Sequence, residues 1–321
     1  MQTSENPDKI PDKILAQLEK LEQKYESMGQ DLSSYLDGLL YANYLTYWDY
    51  IHLDTLLSLQ NTKTDFPDEH IFITYHQITE LYFKLILAEI QQISYHISIT
   101  EDFFVARLKR IIRYARHLVS SFDVMIEGME AEQFLNFRMS LLPASGFQSM
   151  QFRSIEICAT DLRNITANAF HRQIDTHTTI EEMYYNLYWK QGATELATGK
   201  KTLTLKQFES KYSNKLIKLA HEYKDCNLWR VYKYHLKESE TIPQLLREFD
   251  AIMNIDWCLA HYSSAVKYLQ RSPETIAATG GTNWQKYLPP RFQKQQFYPE
   301  LWNEEEKENW GKSWVVQQIG K

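Results

Sequence analysis

The chain has 321 residues, enough for one large domain or two smaller ones, and a formal net charge of −6. A mildly acidic chain without clustered Lys and Arg excludes a general nucleic-acid binder, whose phosphate-tracking surface needs such clusters. No apolar run reaches the roughly 18 residues of a membrane span, and the polar segment Met1–Pro11 lacks the apolar centre of a signal peptide. The three cysteines lack metal-ligand spacing, so we expect reduced thiols in a cytoplasmic protein.

The composition favours long helices. Aromatic residues make up 14% of the chain, with 21 tyrosines, whereas there are only 10 glycines and 9 prolines. Because few residues interrupt the regular backbone, and apolar residues recur at three- and four-residue steps, we expect an all-α protein. The sequence predicts one large helical-bundle domain at residues 61–321, preceded by an N-terminal helical arm at residues 1–60.

The arm opens with an amphipathic helix, predicted over residues 8–28, whose apolar stripe is narrow. Such a stripe suits packing on another subunit or on the body of the fold. Residues 31–60 are rich in tyrosine and leucine and include Tyr47 and Tyr50. This segment is interpreted either as a packed arm or as a cover over a pocket, including the pocket of a neighbouring subunit.

The strongest helical pattern predicts a helix over residues 67–97, with Asp68 complementing the positive end of its dipole. Ser98 and Glu101 have the spacing of a capping box and predict a second helix that runs to about Gly128. Two long helices with a short connection form an antiparallel hairpin. Further helices are predicted in residues 130–157, interrupted at Leu142–Gly146, and at about residues 178–191, 204–225 and 241–269.

Two histidines interrupt the apolar faces of these helices. His76 follows Phe72 by one helical turn, and His261 follows Trp257 by one turn. Each imidazole is interpreted either as a core histidine bonded to a backbone carbonyl or as a group that faces a pocket. On the inner face of a bundle, an imidazole such as that of His261 also has the position of an axial ligand for haem iron.

Two further residues have alternative interpretations. Arg138 stands in an apolar neighbourhood, and a buried arginine needs an anion, which either a protein carboxylate or a ligand carboxylate supplies. Thr279 lies in the loop Ala278–Trp284, which holds the only pair of adjacent glycines and is either an ordinary turn or a ligand-binding loop. The motifs of serine hydrolases, HExxH metalloproteases, P-loop proteins and dinucleotide-binding proteins are absent from the sequence.

In chain order, these residues form a pattern that resembles the tryptophan 2,3-dioxygenase family, as a divergent bacterial-type member. The pattern consists of the segments Tyr47-x-x-Tyr50-x-x-Leu-Asp54, Asp68-Glu-x-x-Phe72-Ile-x-x-His76-Gln-x-x-Glu80-Leu-x-x-Lys84, Phe134-x-x-Phe137-Arg138, Pro143-Ala-Ser-Gly-Phe-Gln-Ser-x-Gln-Phe-Arg153, Trp257-x-x-x-His261 and Thr279-Gly-Gly281. The resemblance covers about residues 40–300, and the block Pro143–Ser149 is by itself highly specific.

The resemblance implies that haem b binds between the long core helices, with His261 as the axial ligand of the iron. It also implies that Trp257 lies beside the haem, and that Leu142, Ser145 and Gly146 form part of the pocket wall around the substrate ring and the haem.

For the substrate, the resemblance implies that Phe72 and His76 line the distal side of the pocket. His76 would be the catalytic residue that hydrogen-bonds the indole N–H. Arg138 would clamp the substrate carboxylate, Thr279 would contact the ammonium and carboxylate groups, and Phe134 would form part of the pocket wall.

The activity implied is cleavage of the indole C2–C3 bond of L-tryptophan with O2, which gives N-formyl-L-kynurenine and begins kynurenine-route catabolism. The resemblance implies a cytoplasmic homotetramer that exchanges its N-terminal arms, so that Tyr47 and Tyr50 enter a neighbour's pocket, with no nucleic-acid or membrane partner. The loop Ala278–Trp284 departs from the family's usual Gly-Thr-Gly-Gly-Ser-Ser-Gly. The alternatives are a histidine-ligated haem oxygenase that hydroxylates another aromatic amino acid, a non-catalytic haem- or tryptophan-binding module, and a haem-free scaffold.

Overall fold

The computed structural model describes residues 10–42, 46–141, 146–194, 200–269, 285 and 288–312. Across these ranges the chain is helical without any β-strand, which confirms the predicted all-α class. Isolated antiparallel bridges join Thr166 to Leu187 and Thr194 to Lys201. None of the helices in these ranges combines the length and the apolar character that a membrane crossing requires. The chain divides into two compact units, Met1–Leu59 and Gln60–Lys321.

The first unit is a series of helices with little core of its own. Gly29, with φ of +66°, adopts the left-handed conformation after the first helix, and the side chain of Asp31 caps the second by accepting from the amide of Ser34. No residue within these helices is buried. The helices are α1 (Asp12–Ser27), α2 (Leu32–Tyr41), α3 (Tyr47–Tyr50) and α4 (Leu53–Leu57).

The second unit contains the hydrophobic core. Its helices are α5 (Asp68–Ser94), α6 (Glu101–Ser121), α7 (Asp123–Ile126), α8 (Ala131–Phe137), α9 (Met150–Ala159), α10 (Asn168–His171), α11 (Ile180–Tyr185), α12 (Tyr188–Gly192), α13 (Leu203–Tyr223), α14 (Leu228–His235), α15 (Thr241–Ala251), α16 (Trp257–Leu269), and short turns at Pro290–Gln293 and Glu304–Glu308. Short 3-10 turns occur at Arg138–Leu141, Gly146–Gln148, Leu162–Ile165 and Pro299–Leu301, and a π-helical turn at Ile252–Asp256.

The predicted antiparallel hairpin is formed by α5 and α6, which pack along each other. In the first turn of α5, the carboxylate of Glu69 accepts hydrogen bonds from the amides of Lys63 and Thr64, which fixes the incoming loop. At the start of α6, the side chain of Thr100 accepts from the amide of Phe103. The predicted capping box at Ser98 is therefore wrong, because Thr100 lies directly before the first helical residue and takes the N-cap position.

Two predicted helices are shorter than expected. The second long helix ends at Ser121 rather than near Gly128, because the chain turns at Phe122 and places that ring in the core. The helix predicted over residues 178–191 is divided into α11 and α12. It breaks because Asn186 and Leu187 pair with the segment at Thr166–Ala167, a tertiary contact that local sequence does not show.

The helix predicted over residues 241–269 is confirmed, with an internal irregularity. The π-helical turn Ile252–Asp256 separates α15 from α16 without breaking the helical path. A π turn adds a residue to the helical repeat and so changes which later residues face the core. The π-helical turn lies directly before Trp257 and one helical turn before His261.

Candidate functional site

A continuous cluster of aromatic rings connects α5 with α16. On α5, the ring centroids of Phe72 and His76 are 4.1 Å apart, and His76 lies 5.8 Å from Tyr75. Tyr75 contacts Phe122 at 5.6 Å, and Phe122 contacts His261 at 4.5 Å. The structure therefore brings together the two histidines that the sequence singles out on separate helices.

The imidazole of His261 is fixed by the backbone of its own helix. Its Nδ1 lies 2.9 Å from the carbonyl oxygen of Trp257, and the two rings meet edge to face at 4.3 Å. Because a carbonyl oxygen only accepts, Nδ1 carries the proton and Nε2 keeps its lone pair in the neutral ring. Burial is the main cause that lowers the pKa of His261 to about 4, and the positive charge of Arg153 lowers it further. This neutral ring, with Nδ1–H held by a carbonyl, is the form in which histidine ligates metals.

His76 shows the same arrangement on α5. Its Nδ1 lies 2.7 Å from the carbonyl oxygen of Phe72, so that Nδ1 donates and Nε2 presents a lone pair. Burial is the main cause that lowers the pKa of this histidine, although its side chain is exposed by accessible area. A side chain can be exposed to solvent and still be surrounded by protein that disfavours its charge. This combination occurs where the side chain forms the wall of a concave site. We therefore interpret His76 as a wall residue that is neutral at pH 7.

Arg138 is placed beside this cluster by α8. The rings of Phe134 and Phe137 lie 6.2 and 5.7 Å from that of Phe72, and Arg138 directly follows Phe137. Arg138 is 5% exposed, and its burial lowers the pKa of the guanidinium, although arginine stays charged at neutral pH. A buried cation next to an aromatic wall has the chemistry to bind the carboxylate of a small ligand.

The other predicted site residues are distributed differently. Gly146 begins the 3-10 turn that precedes α9. Tyr47 and Tyr50 lie on α3 in the first unit, where 70% and 74% of their surfaces are exposed. Three further predicted site residues lie outside the part of the chain that the structure describes, namely Leu142, Ser145 and Thr279.

Sequence reasoning missed residues that pack around the two histidines. Tyr75 and Phe122 link the two histidines, and their apolar helical spacing identifies them only as core positions. On α9, Arg153 donates from Nη1 to Glu156 at 2.7 and 2.9 Å, and the Tyr188 hydroxyl donates to the same carboxylate at 2.5 Å. The three-residue spacing of Arg153 and Glu156 was the available signal for this pair.

The residues at the site fit a haem better than a bare metal ion. Among the residues that the structure describes, no three His, Cys, Asp or Glu side chains form a group that could hold a metal ion. His261 and His76 each supply one fixed nitrogen donor in the aromatic cluster. Because a porphyrin supplies the equatorial ligands itself, one axial histidine is sufficient to hold haem iron. The fold and the site thus define a class, the helical-bundle proteins with a histidine suited to haem ligation.

Comparison with known proteins identifies the family within this class. The profile of the tryptophan 2,3-dioxygenase family matches residues 39–222. A tryptophan 2,3-dioxygenase of Herpetosiphon aurantiacus is 29% identical over 262 residues, which cover 80% of this chain and 96% of the relative. One from Bacillus thuringiensis subsp. konkukian is 29% identical over 267 residues (81% and 91%), and one from Xenopus laevis is 39% identical over 150 residues (42% and 35%). The chain belongs to the tryptophan 2,3-dioxygenase family.

Proposed function

We propose that this chain is a haem-dependent dioxygenase that cleaves the indole C2–C3 bond of L-tryptophan with O2 and releases N-formyl-L-kynurenine. Membership of the family and the names of its relatives support this activity. The observation that carries the proposal is the pair of imidazoles in one aromatic cluster. His76 and His261 both use Nδ1 to bind a backbone carbonyl, so both present the lone pair of Nε2.

The proposed cofactor is haem b, whose iron Nε2 of His261 would hold. The ring of Trp257, at 4.3 Å, restricts rotation of the imidazole, and the Trp257 carbonyl fixes its tautomer. Gly146, Leu142 and Ser145 are proposed to line the pocket around the haem and the substrate ring. When bound, haem supplies the redox chemistry that lets O2 react with the indole ring.

The substrate is proposed to bind with its indole ring against the aromatic wall. Phe72 and Phe134, which lie 6.2 Å apart, offer flat apolar faces. Nε2 of His76 accepts the indole N–H, which requires the neutral imidazole that burial favours. A ring without this N–H would leave the buried acceptor unpaired, so the contact also selects the substrate.

The amino-acid end of the substrate is proposed to bind at Arg138. The planar guanidinium matches a carboxylate through two parallel hydrogen bonds. With Thr279 as a second contact, the carboxylate and ammonium groups would fix where the C2–C3 bond lies. Such orientation accounts for much of the rate enhancement available to a protein whose cofactor performs the oxidation.

We further propose a cytoplasmic homotetramer in which Tyr47 and Tyr50 reach a neighbour's pocket. Two observations support a multi-subunit state. The helices of the first unit bury none of their residues, although their apolar side chains are abundant. On α5, Ile78, Leu81 and Leu85 are exposed on one helical face. Apolar surface of this kind marks protein–protein contacts.

Optical spectroscopy and turnover test the proposed function. The haem-loaded ferrous protein should change its visible spectrum when L-tryptophan is added and, with O2, should develop the absorption of N-formyl-L-kynurenine. His261→Ala should leave the protein colourless, whereas His221→Ala, at an exposed histidine paired with Glu181, should not. A red protein that produces no formylkynurenine would favour the non-catalytic module, and tyrosine hydroxylation would favour the other haem oxygenase.

A further inference from the structure

The short helix α12 connects elements of the second unit that are distant in sequence. The Tyr188 hydroxyl donates to Glu156 on α9, and the ring of Trp189 stacks on Phe147 with centroids 6.0 Å apart and planes at 26°. The ammonium of the next residue, Lys190, donates to a carboxylate of α13 at 3.0 Å. Consecutive residues of α12 therefore hold α9, the Gly146–Gln148 turn and α13 together.

Phe147 packs between two other aromatic rings. Its ring contacts Phe208 of α13 at 6.3 Å, and Trp189 meets Phe208 edge to face at 5.4 Å. The guanidinium of Arg153 lies 5.2 Å from the centre of the Trp189 ring, and Arg153 is itself buried. Trp189 thus packs against Phe147, Phe208 and a buried cation, which restricts its ring.

The held turn leads from the predicted pocket wall into α9. Gly146 begins the turn, and the side chain of Gln148 donates to the backbone carbonyl of Thr204 at 3.3 Å. Ser149 follows as the N-cap of α9 and accepts from the amide of Phe152 at 3.1 Å. Side chains at two successive positions therefore attach this turn to α12 and α13.

We propose that Trp189 is a positioning residue for the tryptophan-binding pocket, acting by holding Phe147 and the Gly146–Gln148 turn in place. The inference rests on the proposed function where it concerns the substrate. Trp189 itself is not proposed to contact the substrate or the cofactor. Because a binding wall displaced by about 1 Å no longer fits its ligand, a rigid support behind the wall affects how tightly the substrate binds.

Two substitutions of Trp189 form a matched pair, because its indole nitrogen makes no hydrogen bond within the described part of the chain that either of them would remove. Nε1 is buried and has no hydrogen-bond partner among the residues that the structure describes. Trp189→Phe therefore removes no hydrogen bond and keeps an aromatic ring against Phe147. Trp189→Leu keeps an apolar side chain but removes the stacking, so the comparison isolates the ring contact.

Amide hydrogen exchange tests the structural part of the proposal. In Trp189→Leu, the amides of Phe152 and Arg153 at the start of α9 should exchange about tenfold faster, while those of Leu108 and Ile111 in α6 stay unchanged. Trp189→Phe should restore the exchange of the wild type. Equally faster exchange in α6 and α9 would make Trp189 an ordinary core residue, and unchanged exchange in α9 would show that it does not hold the turn.

Steady-state kinetics tests the consequence for the pocket. Because a wall contacts the substrate in the ground state and the transition state alike, Trp189→Leu should raise the KM for L-tryptophan about tenfold and change kcat less than about threefold. Trp189→Phe should restore KM. Locally faster exchange with an unchanged KM would overturn the proposal. A wild type that makes no formylkynurenine would instead refute the proposed function. In that case the Soret band tests the positioning role, and a band of Trp189→Leu at the position of the wild type would overturn it.

Discussion

At the residue scale, the two histidines show that an imidazole can bond to a backbone carbonyl and still present a nitrogen to a pocket. The sequence offered each imidazole as a core histidine bonded to a carbonyl or as a group facing a pocket. In the structure, the Nδ1 atoms of both bind the carbonyl one turn earlier, at Phe72 and at Trp257. The local bond is what leaves Nε2 available for a ligand. The four-residue spacing predicted the ring contacts, whereas the link through Tyr75 and Phe122 is tertiary and was not predictable.

Substitution of His76 should weaken selection for the indole N–H. His76→Phe keeps a ring beside Phe72 but removes the acceptor. We predict that the preference for L-tryptophan over its benzothiophene analogue, measured as a ratio of kcat/KM values, falls at least about tenfold. His221→Phe, at an exposed site, should keep the ratio of the wild type. An unchanged ratio in His76→Phe would exclude the proposed hydrogen bond.

Arg138 gives a second prediction at this scale. Arg138→Lys retains a positive charge but loses the planar fork, so the KM for L-tryptophan should rise about tenfold or more. The haem content, measured from the Soret absorbance per protein, should stay at the level of the wild type. Arg172→Lys, at an exposed position, serves as the control. Loss of haem in Arg138→Lys would show that this arginine is structural.

At the element scale, periodicity predicted the long helices well and their irregularities poorly. The helix 67–97 and the helix 241–269 follow from apolar spacing that local sequence carries. The break between α11 and α12 depends on pairing with Thr166–Ala167, and the π turn at Ile252–Asp256 leaves the apolar pattern intact. Tertiary contacts determine both features, so a single sequence did not reveal them.

The ion pair between α12 and α13 gives a prediction about stability. Burial lowers the pKa of Lys190 to about 8, whereas hydrogen bonds from Lys201 and Lys190 outweigh burial and lower the pKa of Glu209. Both groups are therefore charged at pH 7, with the ring of Tyr184 lying 3.8 Å from the Lys190 ammonium. Glu209→Gln leaves a buried ammonium without its counter-charge and should lower the free energy of unfolding by about 3 kcal/mol.

Urea unfolding checks this value and its dependence on pH. Lys201→Met removes only the half-exposed partner of Glu209 and should change the free energy by less than about 1 kcal/mol. The pKa of Lys190 is lower in the folded state, so raising the pH above about 8 discharges it there first. The loss in Glu209→Gln should therefore shrink at about pH 9.5. Equal effects of the two substitutions at pH 7 would contradict the assignment.

At the scale of the whole molecule, the all-α class and the positions of the second unit's longest helices were predictable from the sequence. The pattern of exposed apolar residues is harder to predict, because periodicity assigns every apolar residue of α5 to a core. In the structure, Ile78, Leu81 and Leu85 are exposed, whereas Phe83 and Ile86 on the same helix are buried. The proposed tetramer accounts for this division.

Substitution on this face tests the proposed assembly. Leu81→Glu places a charge among the exposed apolar side chains of α5 and should shift the protein from a tetramer to smaller species. Lys218→Glu, at an exposed position of α13 and with a larger change of charge, should keep the tetramer. Light scattering coupled to size-exclusion chromatography measures both masses. A wild type that is monomeric at micromolar concentration would contradict the proposed assembly.

Isotopically labelled dioxygen tests the proposed cleavage of L-tryptophan most directly, because it labels the product that forms. The haem-loaded ferrous protein should convert L-tryptophan to N-formyl-L-kynurenine in which mass spectrometry finds both oxygen atoms of one O2 molecule. His261→Ala, prepared in parallel, should form none. Unchanged L-tryptophan, or a product that has gained a single oxygen atom with its indole ring intact, would contradict the assignment of this chain as a tryptophan-cleaving dioxygenase.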